Sequence, residues 1–252
     1  MHDTVIALAA FAAGAINSIA GGGTLLSFPA LLWIGVNPVM ANATNSFALW
    51  PGSMAAMFGF RRDLTNIRRW LLLLTIPAFV GGAAGAVLLL HTSMTTFTHL
   101  VPFLILGATL LLAVQEVITH RLGLVARAHE KPTAGWVTFV FVFQFLVGIY
   151  GGYFGGGIGI LILAALGLIG LTDMHEMNGL KNLLAICING VAALYFAFSG
   201  AVIWKDGLIM AVAAIIGGYL GARIAHRFGQ TFVRRTVVVI GLSMGIALFF
   251  KL

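Results

Sequence analysis

The sequence predicts an all-α integral membrane protein built from two inverted-topology repeats, each a glycine-broken pair of short helices followed by three transmembrane helices. Composition is the first observation behind this. Hydrophobic residues make up 60% of the 252 residues and charged residues only 8%, with a mean hydropathy of +1.05. A soluble domain carries about 25% charged residues, so most of this surface has to face lipid. The second observation is a pattern of apolar runs, several of them near the roughly 20 residues that a membrane-spanning helix needs. The third is internal repetition. Gly21-Gly22-Gly23, Asn42-Ala-Thr-Asn45 and Gly81-Gly82-Ala-Ala-Gly85 recur in the same order as Gly155-Gly156-Gly157, Gly179-Leu-Lys-Asn182 and Gly217-Gly218-Tyr-Leu-Gly221. Each recurrence lies about 135 residues further on, which marks two homologous halves. Residues 1–119 form the first repeat, 120–133 a polar cytoplasmic linker and 134–252 the second repeat.

Charge gives the halves their relative orientation. Arg61, Arg62, Arg68 and Arg69 follow the third apolar run of the first half, whereas the loop from His91 to Thr96 has no Lys or Arg. In the second half the order swaps: the loop at Lys205-Asp206 is near neutral, and the next holds Arg223, Arg227, Arg234 and Arg235. Arg-rich loops stay in the cytoplasm, so corresponding loops lie on opposite sides of the membrane. Both termini are then extracytoplasmic, with the linker around Arg127 inside.

The short apolar runs, about 4–20 with 24–35 and 135–153 with 158–170, are each joined at a glycine cluster. They either span or fold back as hairpins, and both alternatives leave an odd number of crossings per half. Consecutive glycines in a helical pattern cost about 1 kcal/mol each relative to alanine, so the backbone there bends sharply or lies against something. A short helix starting at Thr24, and another at Ile158, would aim free N–H groups at the break, and a helix N-terminus favours an anion. Close helix packing through small residues is the alternative explanation of the same glycines. Interrupted helices at matching places of inverted repeats are the signature of secondary transporters, whose site lies where the breaks meet.

Candidate site residues follow from that placement. Backbone N–H groups at Gly22, Gly23, Thr24, Gly156, Gly157 and Ile158 form one layer. Polar side chains form the second: Asn17 and Ser18 before the first break, Tyr150 and Tyr153 before the second. Asn42, Asn45 and Ser46 open the next helix on one face, as do Asn178, Lys181 and Asn182 in the second half. Asn and Ser in membrane helices also serve simply as interhelical glue, and a Lys near a helix end can snorkel. Trp50, Trp70, Trp136 and Trp204 are expected as interface anchors. All seven acidic residues (Asp3, Asp63, Glu116, Glu130, Asp173, Glu176, Asp206) fall in loops or near segment ends, so no carboxylate proton relay is expected at membrane depth. The single Cys187 excludes a disulfide framework. Gly241-Leu-Ser243-Met-Gly245 imitates a hydrolase nucleophile elbow but lacks a preceding strand and a partner base.

The stretch Ala20-Gly-Gly-Gly-Thr-Leu-Leu-Ser-Phe-Pro29-Ala-Leu, followed by Gly35-Val-Asn-Pro38 and Ala41-Asn-Ala-Thr44-Asn-Ser46, resembles the sulfite exporter TauE/SafE family, as does Gly148-Ile-Tyr-Gly-Gly-Tyr-Phe-Gly-Gly-Gly-Ile-Gly. The likeness covers nearly the whole chain. It departs at Leu163-Ala164-Ala165, where the family often repeats the proline of Phe28-Pro29-Ala30, so the second short helix should be straighter and the half-sites unequal. The resemblance implies a multi-pass protein of the bacterial inner membrane that moves sulfite or a short organosulfonate, as an exporter working by alternating access. No cofactor, metal or nucleic-acid partner is expected; the partners are the anion, the bilayer and, as a homodimer, a second copy of the chain. An anion channel on the same scaffold is the alternative, and an enzyme is not expected because no acid/base or metal constellation falls at membrane depth.

Overall fold

The computed structural model describes residues 2–19, 22–57, 68–127, 134–168, 171, 174–224 and 230–250. Among them lie ten α-helices and no strand: α1 (His2–Ile19), α2 (Thr24–Trp33), α3 (Pro38–Met57), α4 (Arg68–His91), α5 (Met94–Arg127), α6 (Ala134–Tyr153), α7 (Ile158–Leu168), α8 (Met174–Phe198), α9 (Trp204–Ile224) and α10 (Gln230–Phe249). Four helices contain stretches long and apolar enough to cross a membrane: Leu73–His91, Met94–Val114, Gly135–Tyr153 and Gly179–Phe198. The Arg-rich loops at 58–67 and 225–229 lie outside the described residues. α5 runs on to Arg127, into the segment expected as linker.

Both short pairs fold back as hairpins. α2 turns against α1 so closely that a Cβ on Gly23 would strike the Ala13 carbonyl. α7 returns along α6 until Trp136 Nε1 donates to the Leu168 carbonyl at 2.8 Å. Pro29 is accommodated inside α2, whereas α7 contains no proline.

The remaining helices assemble around two parallel groups. α1 starts beside α9, where Lys205 Nζ stands 3.0 Å from Asp3 Oδ2 and His2 stands 3.6 Å from Asp206. The Lys205 ammonium holds the Asp3 carboxyl below the usual carboxylate range. From there α1, α3 and α9 run in one direction. Gly217 and Gly221 of α9 lie on Phe11 and Ala15 of α1, Gly52 of α3 lies on Ala214, and Thr44 Oγ1 accepts the Ile203 N–H at 3.0 Å. α4, α6 and α8 form the other group, with Gly81 and Gly85 of α4 on Phe145 and Ile149 of α6 and Gly82 on Ile188 of α8. The groups are antiparallel, because the start of α3 meets the end of α6: Asn42 Nδ2 donates to the Tyr153 carbonyl at 2.8 Å. α5 and α10 pair through Gly241 on Thr109 and Gly245 on Leu106, and they cover α7 and α2 respectively.

On α4 the large residues Ile76, Phe79, Val80 and Leu88 are exposed, while Ala78, Gly81, Gly82, Gly85 and Ala86 are buried. Lipid is as apolar as these side chains, so the helices gain nothing by hiding them; close backbone approach between small residues supplies the packing instead. The same logic corrects the expectation for Trp50. It is partly buried, with its ring against Gly190 of α8 and its Nε1 out of reach of solvent, because a glycine there makes room for the indole. Trp204 is half exposed and meets Phe47 edge-on at 5.3 Å, and the Trp70 side chain lies outside the described residues.

Glycines in different settings should respond oppositely to alanine. A Cβ at Gly85 would strike the Ile149 carbonyl, so Gly85→Ala has to push α4 off α6 and should destabilise the protein by about 1–3 kcal/mol or more. Gly107 on α5 has nothing within 4 Å of a Cβ, and Gly107→Ala should stabilise by up to about 1 kcal/mol. Melting temperatures of the two purified variants against the parent check this; equal shifts would refute the packing argument.

Candidate functional site

The hairpin tips are the irregular part of the fold, and lipid offers their backbone no water to bond with. At the first tip Gly22 has φ +106°, a conformation that favours glycine. Asn17, two residues before the end of α1, turns its Oδ1 onto this backbone and accepts the N–H of Gly22 at 3.1 Å and of Gly23 at 2.7 Å. The two donors expected to hold an anion are therefore satisfied by the chain's own amide. This leaves the Asn17 Nδ2 end for the cavity that the residue lines.

The second tip is stabilised differently. Tyr150 O–H donates to the Gly156 carbonyl at 2.6 Å, and the Tyr150 carbonyl accepts the N–H groups of Phe154 and Gly155 at 2.9 and 3.2 Å. Gly155 and Gly157 have φ of +76° and +71°. The position matching Asn17 is Gly151, so this tip has no corresponding amide cap.

The tips meet at mid-length of α3 and α8 around a cavity of about 60 Å³. A water molecule's share of liquid volume is about 30 Å³, so the space suits a few small atoms and no large metabolite. Asn17, Gly22 and Thr24 line it from the first hairpin, and Phe154, Gly155, Ile158 and Gly159 from the second. Ser46, Leu49 and Ser53 form one face of α3, and Lys181, Asn182, Ala185 and Asn189 one face of α8. Lys181 is only 7% exposed, and its stem lies over Gly159, where a Cβ would stand 3.3 Å from Lys181 Cδ. Among the described residues, Lys181 is the one ionisable side chain in the lining, alongside amides and hydroxyls, and no carboxylate lines it.

Of the residues singled out from sequence, Asn17, Gly22, Thr24, Ser46, Ile158, Lys181 and Asn182 come together here. The others lie elsewhere. Ser18 bonds the Ala15 carbonyl at 2.7 Å and faces Gly221 across the α1–α9 contact. Gly23 is packed on Ala13, Gly156 on the Phe154 ring and Gly157 on Ala108, while Tyr150 braces its own tip. Asn42 is held by the Tyr153 carbonyl, and Asn45 Oδ1 accepts from Ser27 Oγ of α2. The Asn178 side chain lies outside the described residues. Sequence reasoning missed Ser53 and Asn189, although each stands seven residues beyond a chosen one, Ser46 and Asn182, and so shares its helical face.

Broken hairpins that meet at a polar cavity inside a lipid-facing helical bundle define a multi-pass membrane protein of the transporter class. The chain belongs to the TauE/SafE family: the match to Sulfite exporter TauE/SafE covers residues 6–248. It is 31% identical over 243 residues to a probable membrane transporter protein of Haemophilus influenzae, covering 93% of this chain and 89% of the relative. It is 30% identical over 247 residues to the probable membrane transporter protein YfcA of Escherichia coli, covering 98% and 89%. Probable membrane transporter protein ORF9 of a Sinorhizobium species is also 30% identical, over 96% of this chain and 90% of its own length. No solved structure matches.

The Asn17 cap yields a prediction. Asn17→Ala leaves two tip N–H groups without an acceptor and should cost about 1–3 kcal/mol in stability. Asn17→Asp keeps the acceptor and should retain most of the parent's melting temperature at neutral pH. If alanine were as stable as the parent, the amide would not be holding the tip.

Proposed function

We propose that this chain is a secondary transporter that exports a small sulfur oxyanion, sulfite or a short organosulfonate, across the bacterial inner membrane by alternating access around the cavity between the hairpin tips. The observation that carries the reading is the cavity lining: among the described residues, one buried lysine, several amides and hydroxyls, and no carboxylate. An oxyanion offers several acceptor oxygens, which Lys181, Asn182 and the Nδ2 end of Asn17 can meet as donors. The volume of about 60 Å³ suits an ion of a few heavy atoms. The contacts of the two halves support an inverted repeat: α1 on α9 corresponds to α6 on α4, α3 on α9 to α8 on α4, and the first group runs opposite to the second. Such halves can exchange conformations to open one site to either side in turn. The membrane potential would drive an anion outward by about 2.3 kcal/mol per charge per 100 mV, so export needs no carboxylate relay.

Purified protein should melt at higher temperature as sulfite is added, with sulfate, thiosulfate, taurine and sulfoacetate as comparators; at 100 times Kd the gain is about 2.7 kcal/mol. Asn182→Ala should weaken this binding by roughly 10- to 150-fold, the value of a hydrogen bond to a charged partner of about 1.5–3 kcal/mol. Asn45→Ala, away from the cavity, should lower the melting temperature and leave affinity unchanged. An Asn182→Ala protein with parental affinity removes the residue from the site, and flux that neither saturates nor shows counterflow replaces the carrier with a channel.

The export direction assumes extracytoplasmic termini. A cysteine at Arg127 in a Cys187→Ala background should then escape impermeant labelling of intact cells; strong labelling would reverse the topology.

A further inference from the structure

The cavity face of α3 begins at Ser46, yet the two asparagines within the preceding turn are buried outside it, Asn42 at 0% and Asn45 at 1% exposure. They hold opposite hairpins. Asn42 Nδ2 donates to the carbonyl of Tyr153, at the end of α6, and Ser27 Oγ, on α2, donates to Asn45 Oδ1. At the same level the hairpins touch each other directly. Phe28, next to Ser27, meets Phe154, next to Tyr153, edge-on with ring centroids 5.5 Å apart, and both rings are sealed from solvent. Tyr153 also packs on Phe97 at 5.6 Å and its hydroxyl stands 3.4 Å from Thr92 Oγ1, so this layer adjoins the α4–α5 turn. It therefore separates the cavity from the face that carries that turn.

The hydrogen bonding of the layer is incomplete. Asn42 Oδ1 and Asn45 Nδ2 are buried with no partner. A permanent helix contact has no use for half-satisfied amides, since each orphaned atom carries a desolvation penalty that an apolar residue avoids. A contact that must break needs them, because all four amide ends find partners once water enters between the hairpins. Closure is then held weakly, and opening is compensated.

We propose that Asn42 and Asn45 are positioning residues that form a latch between the two hairpins, closing the cavity toward the face carrying the α4–α5 turn and releasing it during transport. This rests on the transporter reading above, but its test does not require the anion to be known. Ser46, in the cavity lining, is changed to cysteine in a Cys187→Ala background, with Ser93→Cys in the exposed α4–α5 turn as the reference. A membrane-impermeant trimethylammonium thiosulfonate is applied to intact cells or inside-out vesicles, whichever preparation labels Ser93→Cys. The latch predicts slow modification of Ser46→Cys. Adding Asn42→Ala, or the smaller change Ser27→Ala, should speed it by on the order of 10-fold, the factor that one net hydrogen bond sets. Neither change touches the cavity, so the melting-temperature rise produced by sulfite should persist in both.

Modification of Ser46→Cys as fast as Ser93→Cys overturns the latch. So does an unchanged rate in both variants, whether their melting temperatures fall, which would make the asparagines packing glue, or their sulfite response disappears, which would make them ligands. If labelling accelerates as expected while no anion stabilises the parent protein, the latch stands and the substrate reading fails.

Discussion

A chain that interrupts its helices inside a bilayer has to satisfy the freed backbone groups from its own atoms, and this constraint governs the centre of the protein. At the first break a side-chain amide does the work, with Asn17 Oδ1 bridging two consecutive N–H groups. At the second, a tyrosine hydroxyl caps a carbonyl and the chain bonds back onto the end of its own helix. Each device needs its tip pressed against neighbouring helices, because a groove open to lipid would leave the remaining groups unpaired. The cavity exists only because both tips are held in this way at one level.

What presses them together is backbone proximity rather than aversion to water. The α1–α9 and α4–α6 crossings are each built on two glycines a turn apart, with carbonyls of the partner helix lying where side chains would otherwise be. These crossings set the rotation of α9 and α4, on which α3 and α8 lean, and so decide which residues of α3 and α8 look into the space between the tips.

That dependence explains what was legible in the sequence. Composition and run length gave away the membrane class, and the recurring glycine landmarks are the sequence basis for reading two halves. The fold-back of the short pairs was left open, since an apolar run of a dozen residues carries no sign of its direction. Within α3, Asn42, Asn45 and Ser46 share an arc, but only Ser46 reaches the cavity. The spacing of three polar residues fixes their relative angles and not the angle of the whole helix, which is set by Gly52 against Ala214. Asn182 and Asn45 occupy matching places in the two halves and still end in different surroundings. Trp50 was assigned to the interface by residue type, and a glycine on a distant part of the chain makes room for its ring between the helices. Asn17 was recognised as a polar residue near a break, but its bond to the backbone depends on a turn geometry that the residue order does not encode.

The capping amide of the first tip has no counterpart in the second, where glycine stands at the matching position. A carrier whose halves were identical would rest equally in its two orientations. Here one tip is braced by an amide and the other by a phenol, so in the proposed alternating-access carrier exchanging their conformations would not return the same energy. The empty carrier would then be biased toward one orientation. By detailed balance, the apparent affinities on the two sides would differ while the equilibrium gradient stayed untouched. The molecule would behave as a rectifier in its kinetics alone, filling readily from one compartment and reluctantly from the other.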